Sequence, residues 1–204
     1  QDVQTWSAPI NSVVLDLFAV RILVVHQNFP GQFRRHVVRW AKGHQLVGIG
    51  AESSLSGRKL PEGLAVLAYK DDFGGKSGIH HYLTGFEQAV RRGQAVARAC
   101  LALRERGFVP DLVLAHPGWG ESLFVKDVFP DCRLVNYFEF FYSAEGADVG
   151  FDPEYPPALD DRLKLRIKNS ALLHALNDAD AGISPTEWQR SRHPAVYRDK
   201  IEVI

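Results

Sequence analysis

An alternation constrains this chain most: short, nearly continuous apolar runs separated by segments of helical spacing. The first run is Arg21-Ile22-Leu23-Val24-Val25-His26. A run without a polar face suits a strand covered on both sides, as in a parallel sheet. Asn28-Phe29-Pro30-Gly31 breaks it, and residues 32–42 follow with Phe33, Val37, Val38 and Ala41 at helical steps and Gly43 as the stop. Leu46-Val47-Gly48-Ile49-Gly50 reads as a second strand, residues 52–63 as a polar loop, and residues 64–69 as a third strand. The longest helical pattern covers residues 79–107, with Phe86, Ala89, Val90, Gly93, Val96, Ala97, Cys100 and Leu101 on one side. Gly107 ends it, with Phe108 placed for the apolar contact that follows such a cap.

The second half repeats the theme. Residues 111–115, 133–138 and 181–183 read as strands, with a short helix to Val128 and a longer one over 159–177. A Pro- and Gly-rich loop spans 143–157. Ser184-Pro185-Thr186-Glu187 predicts a helix start with serine as cap, proline in the first turn and glutamate closing a capping box. Strands alternating with helices predict an α/β fold: a Rossmann-like, doubly wound, mainly parallel sheet with helices on both faces.

Composition bounds the function classes. Hydrophobic residues are 46% and charged residues 24% of the chain, ordinary for a soluble domain with a core. A formal net charge of zero supplies no global field, so nucleic acid is not an expected partner. Val13-Val14-Leu15-Asp16-Leu17-Phe18-Ala19-Val20 is too short and too polar to span a bilayer, and no basic flank marks it as a signal peptide. Cys100 and Cys132 show no CxxC spacing and read as reduced thiols of a cytoplasmic protein. The chain holds no methionine, and residues 1–11 show no period, so residues 1–19 read as an upstream or appended segment before a domain at 20–204. Ile201-Glu202-Val203-Ile204 reads as a strand just beginning, and the expectation is a domain cut where a further one should follow.

In an open parallel sheet, ligands bind beyond the carboxyl ends of the strands where strand order reverses. The usual order makes the first strand and the strand at 111–115 neighbours there, so the loops 26–33 and 116–121 should face each other across one crevice. Pro30-Gly31 allows a tight turn at a helix start, where free N–H groups favour phosphate. His116-Pro117-Gly118-Trp119-Gly120-Glu121 groups an imidazole, an aromatic plate and a carboxylate. Glu139 and Tyr142 follow the next strand, and Ser184 and Thr186 the last.

Plainer readings stand beside these. Pro-Gly after a strand is commonly just a turn. His26 and His116 can be strand-end structural histidines, and Trp119 a buried anchor. His80-His81 reads as a surface pair because no further ligand stands at metal spacing. Arg91-Arg92 reads as a solvated helix face. Gly118-Trp119-Gly120-Glu121-Ser122 is not a nucleophile elbow, and the first strand lacks G-x-G-x-x-G, which argues against a simple NAD domain.

The run from Arg21 to Phe33, with Gly43-His44 after it, resembles the opening of family 4 glycosyltransferases. Pro110-Asp111, His116-Pro117-Gly118-Trp119-Gly120-Glu121, Tyr137-Phe138-Glu139-Phe140, Gly150-Phe151-Asp152-Pro153-Glu154 and Ser184-Pro185-Thr186-Glu187-Trp188-Gln189 resemble the N-terminal domains of a bacterial group 1 subset, from about Val20 to Ile204. The resemblance implies one half of a GT-B fold, whose C-terminal domain holds a nucleotide sugar while the N-terminal domain receives the acceptor. It implies a retaining hexosyl transfer with the nucleotide sugar as co-substrate and no metal or other cofactor. The acceptor is open: a glycan, a lipid-linked sugar or a small molecule, with a membrane surface as a further open partner. By this likeness His116 is the catalytic residue beside the transferred sugar, and Pro30, Gly31 and Gln32 approach the donor phosphates. His26, Phe29, Gly118, Trp119, Glu121, Glu139, Tyr142 and Thr186 would line the acceptor side. Without the donor domain, the chain alone is expected to be inactive. Two rival readings are a flavodoxin-like binding or receiver module and a GT-B-shaped sugar-nucleotide epimerase.

Overall fold

The computed structural model describes residues 19–60, 64–72, 78–147 and 149–204. The reading of residues 1–19 as a separate segment, and of 61–63 as loop, falls outside the described residues apart from Ala19. Seven strands form one wholly parallel sheet: β1 (Arg21–Val25), β2 (Gln45–Ala51), β3 (Ala65–Tyr69), β4 (Leu112–Ala115), β5 (Arg133–Tyr137), β6 (Ala181–Ser184) and β7 (Ile201–Val203). Their spatial order is β3-β2-β1-β4-β5-β6-β7, so strand order reverses between β1 and β4. This is the doubly wound, Rossmann-like α/β fold that the alternation predicts.

The apolar runs lack polar alternation because both faces of the sheet are covered. Leu23 and Val25 pack with Val47, Ile49, Val113 and Ala115 beneath α3 (Thr84–Glu105). Ile22 and Val24 face the other way, onto Phe29, Phe33 and Val37. Fully burying such a side chain contributes about 1.5–3 kcal/mol, so one five-residue strand supports two cores. No helix among the described residues is long and apolar enough to cross a membrane.

Local chemistry moved several boundaries. The helix expected over 32–42 is a 3-10 turn at Gly31–Phe33 followed by α1 (Arg34–Trp40), capped at Ala41 rather than stopped at Gly43. The expected loop after β2 opens with a single helical turn, α2 (Glu52–Leu55). α3 ends as the sequence predicts: Gly107, at φ +81°, donates to the Arg104 carbonyl and Phe108 donates to that of Leu103, both at 3.0 Å. It packs against the short α4 (Val125–Val128). The helix expected over 159–177 is two helices, α5 (Leu159–Lys168) and α6 (Ser170–Asp178), joined at Asn169. The Asn169 amide turns away to the Tyr142 backbone, donating to its carbonyl at 2.8 Å and accepting its N–H at 3.0 Å. α7 (Glu187–Arg192) is capped by Thr186, not by Ser184. Ser184 is the last residue of β6 and is buried, whereas the Thr186 hydroxyl accepts the Gln189 N–H at 3.1 Å. The one-turn α8 (Ala195–Arg198) leads into edge strand β7.

Candidate active site

β1 and β4 pair in parallel, and each is followed directly by a histidine. The rings of His26 and His116 lie 5.0 Å apart between centroids, so the loops after the two strands do meet at one crevice. Gly31, at φ +52°, closes its turn directly over the His26 ring, where any Cβ would overlap the imidazole. The His26 Nδ1 accepts the Asn28 N–H at 2.9 Å, which leaves the ring proton on Nε2, donated to Gln32 Oε1 at 2.5 Å. The Gln32 amide in turn donates to both oxygens of Glu139 at 3.3 Å.

His116 reaches the same carboxylate by a shorter route. Its Nδ1 accepts the Gly118 N–H at 3.2 Å, so Nε2 carries the proton and donates to Glu139 Oε2 at 3.2 Å. Donation from His116 is the largest influence on the Glu139 carboxyl and holds it below the usual carboxylate range. Burial lowers His26 to about 4, with the neighbouring His116 acting in the same direction. At neutral pH the crevice therefore holds an uncharged His26 and an ionised Glu139.

A pocket of about 140 Å³ opens on this carboxylate. Its walls are His116, Pro117, Gly118 and Trp119 from the loop after β4, and Tyr137, Phe138, Glu139, Phe140 and Tyr142 from the segment after β5, with Leu172 of α6 alongside. Trp119 stacks on the His116 ring at 4.8 Å and 28° while remaining 38% exposed, so it is no buried anchor. Tyr142 lies under the Lys168 ammonium, 3.5 Å from its ring centre. Aromatic planes around one carboxylate can hold a flat or ring-shaped ligand and accept a hydrogen bond from it.

Several residues assigned from sequence sit elsewhere. Phe29 is fully buried among the apolar residues of the core face, its ring filling the space left above Gly48 and Gly50, and offers no surface to an acceptor. Glu121 is 0% exposed and lies behind the loop, away from the pocket lining. Thr186 spends its hydroxyl on its own helix. The Gly31 N–H donates to the Asn28 carbonyl at 3.0 Å, which removes that donor from a phosphate; Pro30 is half-buried beside it and Gln32 is committed to His26 and Glu139. Arg91-Arg92 divides: Arg91 pairs with Glu87, and Arg92 turns inward with its side chain 13% exposed. His80 and His81 stack beside Asp160, and no group of three metal ligands occurs among the described residues. Pro117 lines the pocket as well, and so do Tyr137, Phe138, Phe140 and Leu172, none of which the sequence reading assigns to the site. Of these last four, the first three stand in the Tyr-Phe-Glu-Phe run whose Glu139 was singled out, and Leu172 carried no signal.

A profile described as glycosyl transferase family 4 group matches residues 42–204. No curated protein matches the chain by sequence. In fold, the chain is similar to Os79 from O. sativa in complex with UDP, with TM-score 0.56 and 14% identity over 90% of this chain and 51% of that one. The same protein in complex with U2F and trichothecene aligns at TM-score 0.55 and 13% identity, with the same coverage. A UDP-GlcNAc 2-epimerase from Methanocaldococcus jannaschii aligns at 0.45 and 13% identity over 90% of this chain and 44% of its own, too distant to bear on function. The chain thus spans about half the length of the solved structures it matches. With the profile covering well over half of its residues, the chain belongs to the glycosyl transferase family 4 group.

Proposed function

We propose that this chain is the acceptor-side domain of a retaining glycosyltransferase that moves a sugar from a nucleotide-sugar donor to an acceptor hydroxyl. Family membership supports the transfer. The observation that carries the site is the His116–Glu139 pair at 3.2 Å, set at the reversal of strand order inside an aromatic pocket.

In this reading the donor rests on a second Rossmann-like domain outside these 204 residues and meets the crevice from above. His116 lies beside the transferred ring. There its main-chain carbonyl, together with the Glu139 carboxylate that its imidazole holds, stabilises the positive charge that develops as the bond between the anomeric carbon and the departing phosphate oxygen breaks. That oxygen takes the proton of the incoming hydroxyl. Glu139, ionised and only 39% exposed, accepts the hydrogen bond of the incoming hydroxyl and fixes its approach. Trp119 and Tyr142 stack on the acceptor, and His26 acts through Gln32 to hold Glu139 in place. The reaction uses the nucleotide sugar as co-substrate and needs no metal.

Each half supplies part of the contacts, so neither half alone stabilises the transition state. Calorimetry of the 204-residue chain with a panel of nucleotide sugars should detect weak binding or none; tight binding would contradict the divided site. In the enzyme carrying both domains, His116→Ala should lower kcat on the order of 100-fold and move donor Kd by less than about threefold. An unchanged kcat removes His116 from the reacting centre.

A further inference from the structure

Glu121 is a fully buried carboxyl that this mechanism leaves unused. An ionised carboxylate out of water carries a desolvation cost of several kcal/mol unless it is paired, so its surroundings say what it is for. Gly120, at φ +101°, rests its backbone on that of Ala89 in α3, and a Cβ on Gly93 would meet the Gly120 carbonyl at 2.7 Å. Loop and helix touch backbone to backbone there, with no side chain between them.

One guanidinium straddles that contact. Arg92 Nη1 donates to the Trp119 carbonyl at 2.8 Å, and its Nε lies 3.7 Å from Glu121 Oε1. The Tyr69 hydroxyl at the end of β3 donates to the same oxygen at 3.4 Å. Trp119, so fixed at its main chain, lays its ring on His116.

We propose that Glu121 and Arg92 are a positioning pair that holds the Trp119 wall of the pocket against His116 from behind; its consequence for sugar transfer rests on the function proposed above. The groups facing Glu121 are Tyr69 from β3, Arg92 from α3 and His116 at the end of β4. Burial pushes the Glu121 carboxyl up to about 7, against the opposing pull of Arg92 and His116. Above about pH 7 the pair is therefore ionic, and because burial disfavours the ionised carboxyl, any opening of the loop that hydrates it becomes easier as pH rises through that value.

Hydrogen exchange read by NMR on the 204-residue chain tests this without any substrate. The probes are the amides of Gly118 and Gly120, which donate to His116 Nδ1 and to the Pro117 carbonyl, with Val24 and Val113 as core references. Arg92→Ala should lower protection at Gly118 and Gly120 about tenfold or more at pH 8, and Arg92→Lys should restore part of it, with the references unchanged. Unaltered protection at the two glycines in Arg92→Ala overturns the proposal. Should the references fall as well, the isosteric Glu121→Gln decides through its pH profile. The wild-type protection factors should step near pH 7 and those of Glu121→Gln should not; parallel profiles in the two proteins overturn the proposal. A confirmed clamp whose loss leaves acceptor binding intact would contradict the assigned function instead.

Discussion

Two carboxylates flank His116, and their surroundings drive them in opposite directions. Glu139 stands in front, on the segment after β5, 39% exposed, and takes hydrogen bonds from His116 and Gln32 that hold its carboxyl down. Glu121 stands behind, beneath the loop after β4, 0% exposed, and burial pushes its carboxyl up to about 7. The residue type is identical, so the difference lies in solvent and donors: two side-chain donors outweigh partial burial, whereas full burial outweighs backbone donors and an ion pair at 3.7 Å. In the proposed mechanism the front carboxylate takes the reaction chemistry and the back one the architecture.

The contrast can be broken most sharply with function. In the proposed two-domain enzyme, Glu139→Gln should raise acceptor KM or lower kcat by a combined factor on the order of 100, read by steady-state kinetics, with little change in fold. Its effect on stability should stay below about 1 kcal/mol because the group is more than a third exposed. What stability Glu139 does contribute is present above its unfolded pKa and lost as pH falls through its lowered folded value.

The back carboxylate should show the reverse. A group whose folded pKa is raised favours the folded state most below its unfolded value of 4.5, and that contribution is lost as pH rises through about 7. Glu121→Gln should therefore match wild type near pH 5 and exceed it at pH 8 by up to roughly 3 kcal/mol in urea unfolding. Equal stability differences at both pH values would place both carboxylates in one class. The smallest expected effect lies outside the pair: Thr186→Ala should cost about 1 kcal/mol through its lost cap and leave the pocket untouched.

The same comparison shows what was legible in sequence. Strand runs such as Arg21–Val25 announced burial on both faces, and the alternation fixed the parallel order, so the meeting of His26 and His116 followed from topology. The two glutamates could not be told apart, because position after a strand says which rim a residue occupies but not which way it faces. Gly93 and Gly120 decide that for Glu121, by letting the loop settle onto α3. Phe29 misled for a similar reason: the space that swallows its ring is made by Gly48 and Gly50 on a neighbouring strand. Arg92 read as solvated because it stands next to the stripe of Ala89, Gly93 and Val96 rather than on it.

The convergence of both histidines on Glu139 is open to direct inspection through the imidazole nitrogens. ¹⁵N spectra of His26 and His116 should report the Nε2–H form of the neutral ring for both, with His26 staying neutral until the pH approaches about 4. A His26 that titrates near 6.5, or either ring protonated on Nδ1 alone, would mean that the turn at Gly31 and the end of β4 do not share a carboxylate.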